Sequence, residues 1–321
     1  MNCDKQYNID TKITSPDKIN LTVLGGDGRA LAAAEKLIRR GYKVTLCGFA
    51  EADSYPKGAL LSSSFERAIP DADVLLLPLP VTRDGKHVFC PLDSSLSIEL
   101  EDLCPSEAKA PMIKSDALVF GGKIPENFKI SLADHSIFCY DYHDSPTLAL
   151  INAHISAEGA LMYAMEATDS SVLGRNIAVI GYGKIARSLC RLCSAFGANV
   201  TVFARREEAR TEARLGGVNA APLSSAELST LTHGYDIIFN TVPARIMMSE
   251  TATKLPSGTL YIELASSPFG IDAADARRSE AKVIWASAIP GKYAPVTAGE
   301  MIADTVRAEI ERIASTGGDK S

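Results

Sequence analysis

From Asn176 to Ala186 the chain reads NIAVIGYGKIA, an apolar run closed by Gly181-Tyr182-Gly183 and followed at once by helix-forming residues. The run predicts a buried parallel strand, Asn176 to Gly181, and the residues behind it predict a helix from Lys184 to Phe196. Gly197 stops that helix, and a second strand follows from Asn199 to Ala204. A lone GxGxxA is a weak signal, but strand, turn, helix and next strand at this spacing form a dinucleotide-binding loop of the Rossmann type. Gly181 permits the tight turn, Gly183 lets the backbone approach a pyrophosphate, and the small Ala186 lets helix and strand pack closely. The helix N-terminus offers free N–H groups and a favourable dipole to an anion. Gly181, Tyr182, Gly183, Lys184 and Ile185 are therefore expected to line the cofactor.

The end of the second strand bears on which dinucleotide is held. NAD sites usually carry an acid there to accept from the ribose hydroxyls. Here the strand ends Phe203-Ala204-Arg205-Arg206. Two guanidinium groups in place of an acid suit a 2′-phosphate, so NADP(H) is the expected cofactor. Asn240-Thr241-Val242-Pro243 ends a later strand at the same edge and is expected to touch the nicotinamide-side ribose.

Working outward, a similar start occurs earlier. LTVLGG at 21–26 leads into a helical stretch from Arg29 to Arg40, a stop at Gly41 and a strand from Lys43 to Phe49. Residues 73–80, 117–122 and 136–142 add strands to this first unit, and 236–243, 259–266 and 282–287 add strands to the second. The fold class is α/β: two doubly wound parallel-sheet domains, the second a Rossmann domain, with about five or six strands each. The organisation expected is an extension at 1–18, a first domain at 19–146, a connecting helix at 147–168, the Rossmann domain at 169–296, and a C-terminal helix and tail at 297–321 that packs back across the first domain. The cleft between the domains is the expected active site.

In the first domain, Gly25-Gly26-Asp27-Gly28-Arg29 occupies the equivalent turn, but a carboxylate at Asp27 would repel a pyrophosphate. Arg29 is read either as a bidentate clamp for a substrate carboxylate or as an ordinary Arg at a helix start. In the second domain, Ser266 and Ser267 after the fifth strand and Lys292 after the sixth are candidates to hold an oxyanion. His154 and Glu158, one helical turn apart, are read either as a proton-transfer pair or as packing residues. Cys190 and Cys193 form a CxxC inside a helix with no second pair nearby, which favours burial over a metal role.

Composition bounds the rest. The chain has 321 residues, 46% hydrophobic and 22% charged, enough for two folded domains and unlike a disordered chain. Its net charge of −6 with no basic run argues against a nucleic-acid partner. No apolar stretch near the front approaches the ~20 residues that span a bilayer, and residues 1–18 lack the features of a signal peptide. With seven scattered cysteines, a reducing, cytoplasmic setting is expected.

The turn GGDGR at 25–29, LLLPLP at 75–80, EGALMYAM at 158–165, IAVIGYGKIA at 177–186, FNTVP at 239–243, ELASSPFGID at 263–272 and IPGKYAPVTAG at 289–299 together resemble the A-subunit family of dipicolinate synthases. The resemblance runs over residues 19–313. It implies an NADP-dependent oxidoreductase subunit that works with a flavoprotein B subunit in the mother cell of a sporulating bacterium. It also implies oxidation of dihydrodipicolinate, or dehydration and oxidation of its hydroxylated tetrahydro precursor, on a branch of lysine and diaminopimelate synthesis. On this reading Arg29, Ser266, Ser267 and Lys292 face the dicarboxylate, and Glu158 or His154 handles the proton. A homo-oligomer is compatible with it. Two alternatives stand beside it: a 2-hydroxyacid or alanine dehydrogenase, the lack of any His after His233 counting against the hydroxyacid enzymes, and a non-catalytic NADP-binding regulatory subunit.

Overall fold

The computed structural model describes residues 15–104 and 112–317. The extension expected at 1–18 therefore lies mostly outside the described residues. Contacts divide the chain into two compact units: one runs up to Ala149 and is rejoined by the chain from Ala294, and the other is Leu150–Tyr293.

The first unit contains β1 (Asn20–Leu24), α1 (Gly28–Arg39), β2 (Lys43–Cys47), β3 (Leu60–Ser62), α2 (Phe65–Ala68), β4 (Val74–Leu76), α3 (Leu100–Leu103), β5 (Leu118–Gly121), α4 (Glu126–Asp134) and β6 (Phe138–Asp141). Helix α5 (Pro146–Ala167) leads into the second unit. That unit continues with β7 (Asn176–Ile180), α6 (Lys184–Ala195), β8 (Asn199–Ala204), α7 (Glu207–Leu215), β9 (Asn219–Pro222), α8 (Ser225–Leu228), β10 (Ile237–Asn240), α9 (Ser249–Ala252), β11 (Leu260–Glu263), α10 (Ala273–Arg278), β12 (Lys282–Trp285) and α11 (Ile289–Tyr293). The last helix, α12 (Pro295–Gly317), returns to the first unit.

Each unit holds one six-stranded sheet, ordered β3-β2-β1-β4-β5-β6 and β12-β11-β10-β7-β8-β9, with every neighbouring pair parallel. The doubly wound fold expected from the sequence is present. In both sheets the strand order reverses beside the first strand, at β1/β4 and at β7/β10. Open α/β sheets bind ligands outside the carboxyl ends of strands at such a point.

The local reasons are visible in the side chains. Strands β1 and β7 are buried after their first residue because helices cover both faces of a parallel sheet. Helix α6 turns Ala186, Leu189, Cys190 and Cys193 into the core of its unit, and Gly197 at φ +79° ends the chain's helical path. Burial pushes the Cys190 and Cys193 thiols up to about 12, which makes them inert core groups.

Helix α12 packs on α1 as expected. Lys36 pairs with Asp304 at 2.6 Å and Arg39 with Glu300 at 2.6 Å, and Ile302, Val306, Ile310 and Ile313 join the core that holds Ala33, Ala34 and Leu37. The backbones approach closely at Gly299, where a Cβ would stand 2.2 Å from Arg29 O.

Several elements differ from the sequence reading. The edge strands β3 and β9, of 3 and 4 residues, are too short to be read from periodicity. The strand expected over 73–80 ends at Leu76 because Pro78 and Pro80 cannot donate to a ladder. Helix α5 is more than a link: from Ala157 to Ala164 it supplies core of the second unit. Residues 289–293 form a helical turn, seated on α5 through Gly159, whose Cβ would fall 2.3 Å from Ile289 Cγ2. Among the described residues no helix is long and apolar enough to cross a membrane.

Candidate nucleotide site at the switch point of the second sheet

The turn from β7 to α6 is shaped by two glycines with different reasons. Gly181 has φ +97°, and a Cβ there would lie 2.4 Å from Thr241 Oγ1 and 2.9 Å from Val242 Cγ2. The turn after β10 is thus pressed against the turn after β7, which only glycine allows. Gly183 has an ordinary φ of −83°, and a Cβ there would meet nothing within 4 Å. Among the described residues no packing demands a glycine at that position. It serves as the N-cap of α6 without any side-chain cap, so the first N–H groups of the helix have no side-chain acceptor there.

The first unit supplies a control. In its turn Asp27 caps α1, accepting from Arg29 N at 3.0 Å, so the chain's own carboxylate occupies the place of an anion at that helix N-terminus. A Cβ on Gly28 would meet Pro295 Cβ at 3.3 Å, and one on Gly25 would meet Cys90 Sγ at 2.6 Å. The turn after β1 is filled by its own unit, whereas Gly183 faces open space.

Arg29 is engaged within its own unit. Its Nε and Nη2 donate to Asp27 at 2.9 and 2.8 Å, and Nη2 also donates to Leu79 O. The side chain is 12% exposed. It is neither a free clamp nor a solvated helix-start Arg; it locks the turn after β1 to the segment after β4.

At the end of β8, Arg205 and Arg206 are both exposed. Behind them Arg210 donates from Nη1 to Ala204 O at 2.8 Å and to Arg205 O at 2.6 Å, and pairs through Nη2 with Glu207. Tyr182 is half-buried against the core of the unit, with the Arg187 guanidinium over its ring at 5.2 Å, while Lys184 is exposed and Ile185 half-buried.

The turn after β10 is held from behind. Asn240 is fully buried; its Nδ2 donates to Val242 O at 3.0 Å and to Glu263 Oε1 at 2.7 Å, and its Oδ1 accepts from Val242 N at 3.1 Å. Thr241 donates its hydroxyl to Ile180 O at 2.8 Å. Of the four residues expected to touch a ribose, Asn240 and Thr241 direct their polar groups inward and shape the turn; Val242 is half-buried and Pro243 exposed.

Glu263, at the end of β11, is a residue the sequence reading passed over. It is 1% exposed and accepts from Asn240 Nδ2, Ala265 N at 3.1 Å, Gly270 N at 2.9 Å and the Tyr261 hydroxyl at 3.4 Å. Among the described residues no Lys or Arg pairs with it. Burial raises its carboxyl above the ordinary range, and the N–H donors pull it part of the way back. The signal available in the sequence was an acid closing an apolar strand, LYIE, where a buried strand end rarely carries one.

Ser266, Ser267 and Lys292 are exposed. His154 and Glu158 form an exposed i,i+4 pair at 3.5 Å on α5. A cavity of about 280 Å³ opens at the opposite, amino-terminal edge of this sheet. Both of its cations are already used, Lys282 on Ala167 O and Arg175 on Asp236.

Both units match domains of known proteins. Residues 20–143 match the N-terminal domain of the dipicolinate synthase A subunit, and residues 152–264 match the NAD binding domain of D-isomer specific 2-hydroxyacid dehydrogenases. The chain is 27% identical over 303 residues to the A subunit of dipicolinate synthase from Bacillus subtilis strain 168, covering 94% of this chain and 98% of that one. The crystal structure of the corresponding A subunit from Bacillus halodurans superposes with a TM-score of 0.78 at 25% identity, over 92% of this chain and 99% of that one. An L-alanine dehydrogenase shares the fold at a TM-score of 0.57 and 13% identity, over 93% of this chain and 90% of that one. The second unit is a nicotinamide-dinucleotide-binding domain of dehydrogenase type.

Proposed function

Starting from a chain that is a relative of the dipicolinate synthase A subunit over nearly its whole length, we propose that it is an NADP-dependent oxidoreductase subunit making dipicolinate, with a flavoprotein as its partner subunit. The observation that carries the reading is Gly183: a glycine that no neighbour requires, at an uncapped helix N-terminus, on the switch point of the sheet. A pyrophosphate lying on that helix end explains why a side chain is missing there.

When bound, NADP+ supplies the hydride acceptor. The residues of this chain do the rest. Gly181 and Gly183 keep the turn low, and the N–H groups at the start of α6 receive the pyrophosphate, with Tyr182, Lys184 and Ile185 beside it. Arg205 and Arg206, exposed at the end of β8, receive the 2′-phosphate. Val242 and Pro243 line the ribose on a turn that Asn240 and Thr241 hold in place. A dihydrodipicolinate loses one hydride and one ring proton to become aromatic, so the step is downhill and asks mainly for alignment. Ser266, Ser267 and Lys292 are the exposed groups suited to its carboxylates. His154 and Glu158 are suited to the proton, and to loss of water if the hydroxylated tetrahydro precursor is the substrate.

Two measurements test the reading. Thermal shift with each dinucleotide is expected to show stronger stabilisation by NADP+ than by NAD+; equal or greater stabilisation by NAD+ removes the 2′-phosphate assignment. Incubation of the chain with NADP+ and enzymatically made dihydrodipicolinate precursor, with and without a flavoprotein subunit, is expected to yield dipicolinate. Binding of NADP+ without turnover in either mixture favours a regulatory subunit instead.

A further inference from the structure

Building on the reading that Arg205 and Arg206 receive a 2′-phosphate, we infer that Arg210, assisted by Arg214, sets the NADP-over-NAD selectivity of the second unit as a positioning residue.

Two sets of contacts carry this. Arg210 is 12% exposed, and its Nη1 donates to two successive carbonyls, Ala204 O and Arg205 O, at the last residue of β8 and the first beyond it. The guanidinium thereby pins the peptide from which the Arg205 and Arg206 side chains depart. A planar fork can serve two carbonyls and a carboxylate together, which a lysine ammonium on a flexible stem does poorly.

The other contacts concern Glu207, next in sequence to Arg206 and the first residue of α7. A free carboxylate at that place would compete for the two guanidinium groups and repel a phosphate. Instead, Arg210 Nη2 pairs with Glu207 Oε2, and Arg214 Nη1 reaches Glu207 Oε1 at 3.0 Å. Arg214 Nη2 also donates to Ala220 O at 3.3 Å, which ties the arrangement to β9. Both oxygens of Glu207 are turned back along α7. Among the described residues, neither Arg205 nor Arg206 forms an ion pair, so their cations remain for the ligand.

NAD+ lacks the 2′-phosphate and serves as the internal reference, because damage to α7 alone weakens both nucleotides alike. Calorimetric titration of the full chain with NADP+ and with NAD+ reads the ratio of the two dissociation constants. Arg210→Lys, which keeps the charge and loses the fork, is expected to reduce the preference for NADP+ about tenfold while NAD+ binding changes less than about threefold. Arg214→Gln is expected to reduce the preference about threefold, and adding Glu207→Gln to it is expected to restore the preference. If Arg210→Lys fails to fold, the Arg214→Gln and Glu207→Gln pair decides. Equal loss of both nucleotides, or an unchanged ratio in a wild type that prefers NADP+, overturns the role of Arg210 alone. A wild type that binds NAD+ as tightly as NADP+ overturns the 2′-phosphate reading as well.

Discussion

Asn240 Nδ2 donates to Glu263 Oε1 at 2.7 Å in the interior of the second unit, with both residues at most 1% exposed. This one bond joins the turn after β10 to the loop after β11, and each partner also holds its own loop: Asn240 through Val242, Glu263 through Ala265 and Gly270. A Cβ on Gly270 would lie 2.2 Å from Asn240 Nδ2, so the two loops cannot separate without disturbing both. Replacing Glu263 with Ala strands several buried donors at roughly 1–3 kcal/mol for each left unsatisfied. The expected outcome is a loss of about 3–5 kcal/mol in stability. Asn240→Ala is expected to cost less, about 2 kcal/mol, because backbone donors still serve the carboxylate. Urea denaturation of both variants checks the order; equal costs would show that the carboxylate depends on Asn240 alone.

The buried carboxyl also gives the unit a pH signature. Burial raises the folded-state pKa of Glu263 above its ordinary 4.5. In the window above 4.5 the folded state therefore holds a proton that the unfolded chain has released, and stability contributed by this group is present below the window and lost as pH rises through it. Glu263→Gln cannot titrate and carries a donor that faces other donors, so it is expected to be less stable than the parent at every pH. Its deficit should be largest at about pH 4 and shrink as pH rises toward about 7. Melting temperatures of the two proteins across that range check the sign, and a deficit that grows with pH would contradict it.

The two glycines of the nucleotide turn should separate folding from binding. Gly181→Ala forces a Cβ onto Thr241 Oγ1 at φ +97°, and a loss of about 2–4 kcal/mol in stability is expected. Gly183→Ala adds a methyl group to open space at an ordinary φ, so stability should fall by no more than about 1 kcal/mol, the loss an alanine N-cap brings. The same methyl group stands where the pyrophosphate would approach, and NADP+ affinity is expected to fall at least about tenfold. Calorimetry on the folded Gly183→Ala protein decides; unchanged affinity would place the nucleotide elsewhere.

What could be read in the sequence divides along physical lines. Apolar strands such as β7 and helices such as α6 announce themselves because period and glycine punctuation are local properties. The edge strands β3 and β9 do not, since 3 or 4 residues are too few to show a period. The roles of single polar residues were harder still. Asn240 and Arg29 sit at the right edges of their sheets, but whether a polar side chain points outward to a ligand or inward to a neighbour depends on chain far away in sequence, here Glu263 and Leu79. Glu263 and Arg210 were missed for a different reason. Their partners are largely backbone groups, which no residue pattern records.

Arg29 stands at the start of α1, a position that suits a substrate carboxylate, but its donors are already committed. Three of its bonds go to Asp27 and one to Leu79 O, and the side chain is largely buried. Arg29→Ala leaves the Asp27 cap of α1 without its cation and unlatches the segment after β4. Breaking such a largely buried pair from one side is expected to lower stability by about 2–3 kcal/mol. Arg29→Ala with Asp27→Asn removes the stranded charge and keeps a side chain able to cap α1, so it should recover part of that loss. Thermal denaturation of the single and double variants checks the coupling. If Arg29→Ala leaves the melting temperature unchanged while raising KM for the dicarboxylate, the residue works on substrate and the latch is incidental.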